Sequence, residues 1–169
     1  MADNTNSLKI LENDLFNELS QLIEQSKQQV TVQANSTVII LFWQVGNRIN
    51  QDVLQNKRAD YAKQIVSTVS TQLKERYGNN FELRNLRRMM QFAEQFTDSQ
   101  IVVPLSRQLS WSHFVELLPL KTIESKLFYA QNASNNLYGI RELRRQIALK
   151  AYERTNIADA QIIESTKIP

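Results

Sequence analysis

Only three glycines and three prolines punctuate the 169 residues of this chain. A β-rich fold of that length would need many more turn residues, because hairpins and bulges draw on glycine and proline. The scarcity predicts long helices and an all-α, multi-helix fold. The length suffices for one domain with a real core or two small ones. Hydrophobic residues make up 42% and charged residues 22%, as in ordinary globular proteins. The absence of cysteine excludes a disulfide framework and thiolate chemistry, and it fits a reducing compartment. The N-terminus lacks the basic start and apolar core of a signal peptide. The longest apolar run, Val38 to Trp43, is too short to span a bilayer. A cytoplasmic protein with no membrane partner is expected.

Helical periodicity recurs along the chain. Leu8, Leu11, Leu15, Leu19, Leu22 and Ile23 predict a first helix to about Gln28, with Ser7 as its N-cap. That stripe packs within the fold or, alternatively, makes a homo-oligomer through Leu8, Leu11, Leu15, Leu19 and Leu22. A second helix is predicted from about Thr31 to Leu54, with Val38, Leu41, Phe42, Val45, Ile49 and Val53 on its apolar face. Gly46 inside it weakens the helix, and close approach of another helix is a physical reason to keep it. A third helix runs from Asp60 to about Tyr77. Gly78-Asn79-Asn80 then breaks the chain before a helix from Glu82 to Phe96. A helix, a short glycine-containing break and a basic helix are the parts of a helix-turn-helix-like unit. Thr97 to Arg107, with Pro104 inside it, reads as a loop. Further helices are predicted after Ser110 or Ser112, from Ile123 to Asn132, and from Ile140 to about Arg154.

Charge is uneven. Residues 1–56 carry three basic and six acidic groups, net −3; residues 57–94 carry eight and four, net +4; residues 140–154 carry five and two, net +3. Both positive regions contain nearly the same run, Leu83-Arg84-Asn85-Leu86-Arg87-Arg88 and Ile140-Arg141-Glu142-Leu143-Arg144-Arg145. Each has one face to bury and one that presents guanidinium groups. Arginine suits phosphate oxygens and guanine edges, and glutamine suits adenine. Arg84, Arg87, Arg88, Gln91 and Gln95 form the first candidate nucleic-acid set. Arg141, Arg144 and Arg145 form the second, with Lys150 and Arg154 beyond. The competing role for these arginines is pairing with Glu82, Glu94, Glu142 or Glu153 on a solvated surface.

Catalytic chemistry finds little support. Glu124-Ser125-Lys126 has the (Asp/Glu)-x-Lys spacing of a metal-dependent nuclease, but it lies in a helical segment without a strand-borne acidic partner. His113 is the sole histidine and has no nucleophile or ligand partners in view, so a helix-start residue bonded to Ser110 or nearby backbone is expected. No glycine-rich phosphate loop exists. No metal, cofactor or small-molecule substrate is expected.

Several blocks carry a resemblance. They are Ala34-Asn35-Ser36 with Leu41-Phe42-Trp43-Gln44-Val45-Gly46-Asn47-Arg48-Ile49, and Phe81-Glu82-Leu83-Arg84-Asn85-Leu86-Arg87-Arg88-Met89. Leu109-Ser110-Trp111-Ser112-His113-Phe114 with Glu116-Leu117-Leu118, and Arg141-Glu142-Leu143-Arg144-Arg145-Gln146-Ile147 with Tyr152-Glu153-Arg154, follow. In this order they resemble the N-terminal domain of bacterial YhcG-like proteins. The resemblance implies a helical domain thought to bind DNA, placed before a PD-(D/E)XK-type nuclease domain. Tyr138-Gly139-Ile140-Arg141 departs from the family's Trp-Ser-Val-Arg, and Gly139 replaces a capping hydroxyl.

The expected layout is a disordered 1–7, a helical domain over 8–157 with sub-units 8–97 and 109–157, and a frayed tail or linker over 158–169. The nuclease domain is expected to lie outside this chain. The expected role is non-catalytic DNA binding or targeting, with DNA favoured over RNA. The alternative is a protein-interaction or oligomerisation module.

Overall fold

The computed structural model describes residues 2–56 and 58–166 and is all-α. Glycine and proline are absent between residues 2 and 45, so nothing interrupts the first helix. Helix α1 (Ala2–Asn56) is continuous where two helices were expected, and Ser7 lies inside it instead of capping it. Helices α2 (Ala59–Tyr77), α3 (Leu83–Gln95) and α4 (Ser99–Ser106) follow. Then come α5 (Trp111–Leu117), α6 (Ile123–Asn135), α7 (Ile140–Ala148) and α8 (Ala151–Thr166). A 3-10 turn at Asn79–Phe81 separates α2 from α3, entered through Gly78 at φ +100°.

Two departures from expectation have local causes. The expected loop over 97–107 contains α4. Asp98 caps it by accepting from the Gln100 N–H at 2.8 Å, and Val102 and Leu105 bury its apolar side. The expected helix over 140–154 breaks at Lys150, whose φ of +54° turns α7 into α8. Helix α8 continues through Thr166, into the stretch expected to fray; residues 167–169, like Met1, lie outside the described residues.

The second half of α1 is the spine. Its buried face holds Ile39 and Phe42, with Trp43, Val45, Ile49 and Val53 packed beside them, whereas Val38 and Leu41 stay exposed. The face is rotated from the predicted one because Gly46 belongs to it: a Cβ there would collide with the Met89 carbonyl of α3. Side chains of α1 also satisfy carbonyls at the ends of its neighbours. Trp43 Nε1 donates to the Phe96 carbonyl at 2.6 Å, beyond the end of α3. Asn35 Nδ2 donates to the carbonyls of Ser106 (2.8 Å), the last residue of α4, and of Leu109 (2.9 Å) beyond it. These carbonyls would otherwise be orphans of helix termination. The Ser106 hydroxyl donates to the Val103 carbonyl and so accepts from the Ser36 hydroxyl at 2.6 Å.

The apolar interior has two parts. One gathers Ile39, Phe92, Phe96, Phe114, Tyr129 and Leu143; the other holds Phe42, Val66, Leu86 and Met89. Trp111 packs on both, its ring 5.1 Å from Phe42 and 5.3 Å from Phe92. Helices α1 and α3 feed both parts.

Candidate nucleic-acid interface

Helix α3 separates its faces cleanly. Leu86, Met89, Phe92 and Ala93 are buried; Arg84, Arg87 and Gln91 are exposed, and Arg88 and Gln95 half-buried. Among the described residues, no ion pair engages Arg84, Arg87 or Arg88. Their charge therefore faces solvent uncompensated by contact. The helix begins at Glu82 without a side-chain cap. Its positive end and these guanidinium groups reinforce one another. Gln95 differs from the rest of its set: its Oε1 is buried without a hydrogen-bond partner among the described residues.

The start of α3 is held rigidly. Asn85 Nδ2 donates to the Asn80 carbonyl at 2.6 Å, and Asn85 Oδ1 accepts from Trp111 Nε1 at 2.9 Å. On the far side of the break, Ser70 of α2 donates to the Phe81 carbonyl at 2.9 Å. The first turn of α3 is thus fixed by α2 on one side and by α5 on the other. A side chain that must reach a phosphate or base edge benefits from such an anchored helix.

The second arginine set sits in a different electrostatic setting. Arg144 donates through Nε and a terminal nitrogen to Glu116 of α5, at 2.9 and 2.7 Å. This carboxylate raises the guanidinium pKa further above its usual value. Arg145 reaches Glu142 at 3.1 Å. The Glu142 carboxyl is held below its ordinary pKa first by the hydrogen bond from Gln146 and then by Arg145. Among the described residues, Arg141 makes no ion pair. Helix α5 touches both basic helices, α3 and α7. Glu116 had no local signal in sequence, since 28 positions separate it from Arg144.

His113 lies in the third position of α5 and completes a capping box with Ser110. Its Nδ1 accepts from the Ser110 N–H at 3.0 Å, where a glutamate or glutamine usually serves. Its Nε2 lies 2.7 Å from the Tyr138 carbonyl, which can only accept. The two partners together specify the neutral ring protonated on Nε2. The histidine thereby ties α5 to the residues that lead into α7.

Glu124 and Lys126 diverge in α6. Glu124 is exposed in the first turn, while Lys126 is 3% exposed and donates to the Leu120 carbonyl. Burial pulls the Lys126 ammonium pKa below its ordinary value. Among the described residues, no three His, Cys, Asp or Glu side chains gather as metal ligands. No described helix is long and apolar enough to cross a membrane.

Comparison with known proteins gives these features a context. "Putative nuclease YhcG" of Escherichia coli (strain K12) is 25% identical over 164 residues, covering 79% of this chain and 44% of that protein. The chain thus spans less than half the length of the curated relative it matches. No solved structure matches it significantly. The DUF1016 N-terminal domain family matches residues 18–154. The chain belongs to the DUF1016 N-terminal domain family.

Proposed function

We propose that this chain is a DNA-binding module that targets a nuclease domain carried by full-length relatives, and that it contributes no catalytic group itself. The observation that carries this reading is the face of α3. Arg84, Arg87 and Arg88 stand on one anchored helix without acidic contacts, next to an uncapped helix start. Helix α3 then plays the part of a recognition helix, with α2 and the break at Gly78 as the supporting half of a helix-turn-helix-like unit. Gln91 continues the reading face, and Gln95 supports it from a half-buried position. Helix α7 makes a second, weaker contact through Arg141, because Glu116 and Glu142 already hold Arg144 and Arg145.

The relative's name supports nucleic acid as the partner class. Duplex DNA is the specific assignment, since a helix of this kind fits a major groove. The test is anisotropy of a labelled mixed-sequence duplex with the protein and with Arg84→Ala/Arg87→Ala/Arg88→Ala. The reading requires at least a tenfold loss of affinity with circular dichroism unchanged. Equal affinities would remove α3 from the interface.

A further inference from the structure

Among the described residues, no other helix covers residues 8–23 of α1. Residues 6–31 are exposed apart from a half-buried Ser20. Along this free helix run Leu8, Leu11, Leu15, Leu19 and Leu22, each between 49% and 63% exposed. At about 100° per residue they fall in a stripe roughly 80° wide. Their spacings are 3, 4, 4 and 3, which read the same in both directions about Leu15.

We propose that residues 8–23 pair with the same segment of a second copy of this chain, antiparallel, with Leu15 on the twofold axis. Leu8 then faces the other copy's Leu22, and Leu11 its Leu19, so every layer of the seam is leucine on leucine. The leucines with Phe16 and Ile23 offer roughly 700 Å² per copy, close to the ~800 Å² per partner of stable interfaces. A parallel pair would match the leucines at any spacing, whereas antiparallel pairing needs the symmetric spacing that this stripe has. The helical period puts Phe16 and Ile23 on one flank of the stripe, with Glu12 between them and the leucines, and Asp14 and Glu18 on the other. Antiparallel pairing brings the two Phe16 flanks to the same side of the seam.

Two consequences follow from this arrangement. Asp14 and Glu18 of both copies share one side, so salt screens their repulsion and tightens the pair. DNA binding has the opposite salt dependence, and the two activities can fail independently. Leu15 also lies about 45 Å from Gly46 along α1 at 1.5 Å per residue. The two folded bodies therefore sit far apart, each with its α3 face clear of the other.

The chain has no cysteine, which permits a direct register test on the full chain. Light scattering should give a dimer. Under oxidation, a mixture of Leu8→Cys and Leu22→Cys chains should form the mixed disulfide, and neither variant alone should cross-link. Leu15→Glu should yield a monomer whose body melts at the unchanged temperature. Raising salt from 50 to 500 mM should lower the dimer dissociation constant several-fold. A monomer up to about 100 μM, or an Leu15→Glu chain that remains dimeric through another surface such as Ile157 and Ile162 of α8, would overturn the proposal. So would cross-linking of each variant with itself, which is the parallel signature.

Discussion

Gly46 of α1 and Met89 of α3 meet backbone to backbone: a Cβ on Gly46 would overlap the Met89 carbonyl and lie 2.8 Å from the Met90 nitrogen. The contact sets how deeply α3 seats on the spine, and therefore the position of the arginine face. Gly46→Ala is expected to destabilise the fold by about 3 kcal/mol, because backbone and not a flexible side-chain tip must give way. Urea unfolding measures this. A loss below about 1 kcal/mol would mean that the helices are less closely seated than the structure has them.

His113 should behave as a structural residue. Removing its ring deprives the Ser110 N–H and the Tyr138 carbonyl of partners in one step. His113→Ala is expected to cost about 2–3 kcal/mol. His113→Gln should recover part of it, since an amide oxygen can accept from Ser110. A stable His113→Ala protein that had lost DNA binding would instead argue for a direct role at the interface.

The pairing of Arg144 with Glu116 makes a charge experiment informative. Glu116→Gln frees Arg144 from its carboxylate. If α7 touches DNA, affinity should rise several-fold, or about 1 kcal/mol. An unchanged affinity would exclude Arg144 from the contact and leave Arg141 as the basic group of α7 still to be tested.

Lys126 supplies a pH prediction. Its folded-state pKa is lowered by burial, so the unfolded chain holds the proton to higher pH. Below the folded-state value the ammonium is charged in both states and its burial opposes folding. As pH rises from that value to the unfolded value of about 10.4, the penalty is relieved and stability rises. Lys126→Met should remove that alkaline gain, read as the pH-dependent difference in urea midpoint between the two proteins. A difference that stayed flat up to pH 10.5 would contradict the burial of a charged ammonium.

Much of this arrangement was legible from residues acting locally. The Gly78-Asn79-Asn80 break and the two faces of α3 follow from caps and helical period, and of the two serines that could start α5 the fold uses Ser110. Gly46 carried its own signal as a costly residue inside a helix. The misreadings came from competition between local signals and packing. Pro104 suggested a loop, but the Asp98 cap and burial of Val102 and Leu105 favoured α4. The apparent end of the first helix near Gln28 had no breaker behind it, and the chain runs on as one helix. The turn at Lys150 was invisible because a lysine at positive φ has no sequence signature. The Arg144–Glu116 and Trp111–Asn85 links join distant positions, and only the fold brings them together.

The most direct test of the central claim is the salt dependence of duplex DNA binding. Each phosphate neutralised contributes a slope of roughly −0.9 in log affinity against log salt. The protein should show a slope of about −3 or steeper, and Arg84→Ala/Arg87→Ala/Arg88→Ala should flatten it by about two units. A wild-type slope near zero, or the same slope in both proteins, would contradict the assignment of α3 as the DNA-contacting helix.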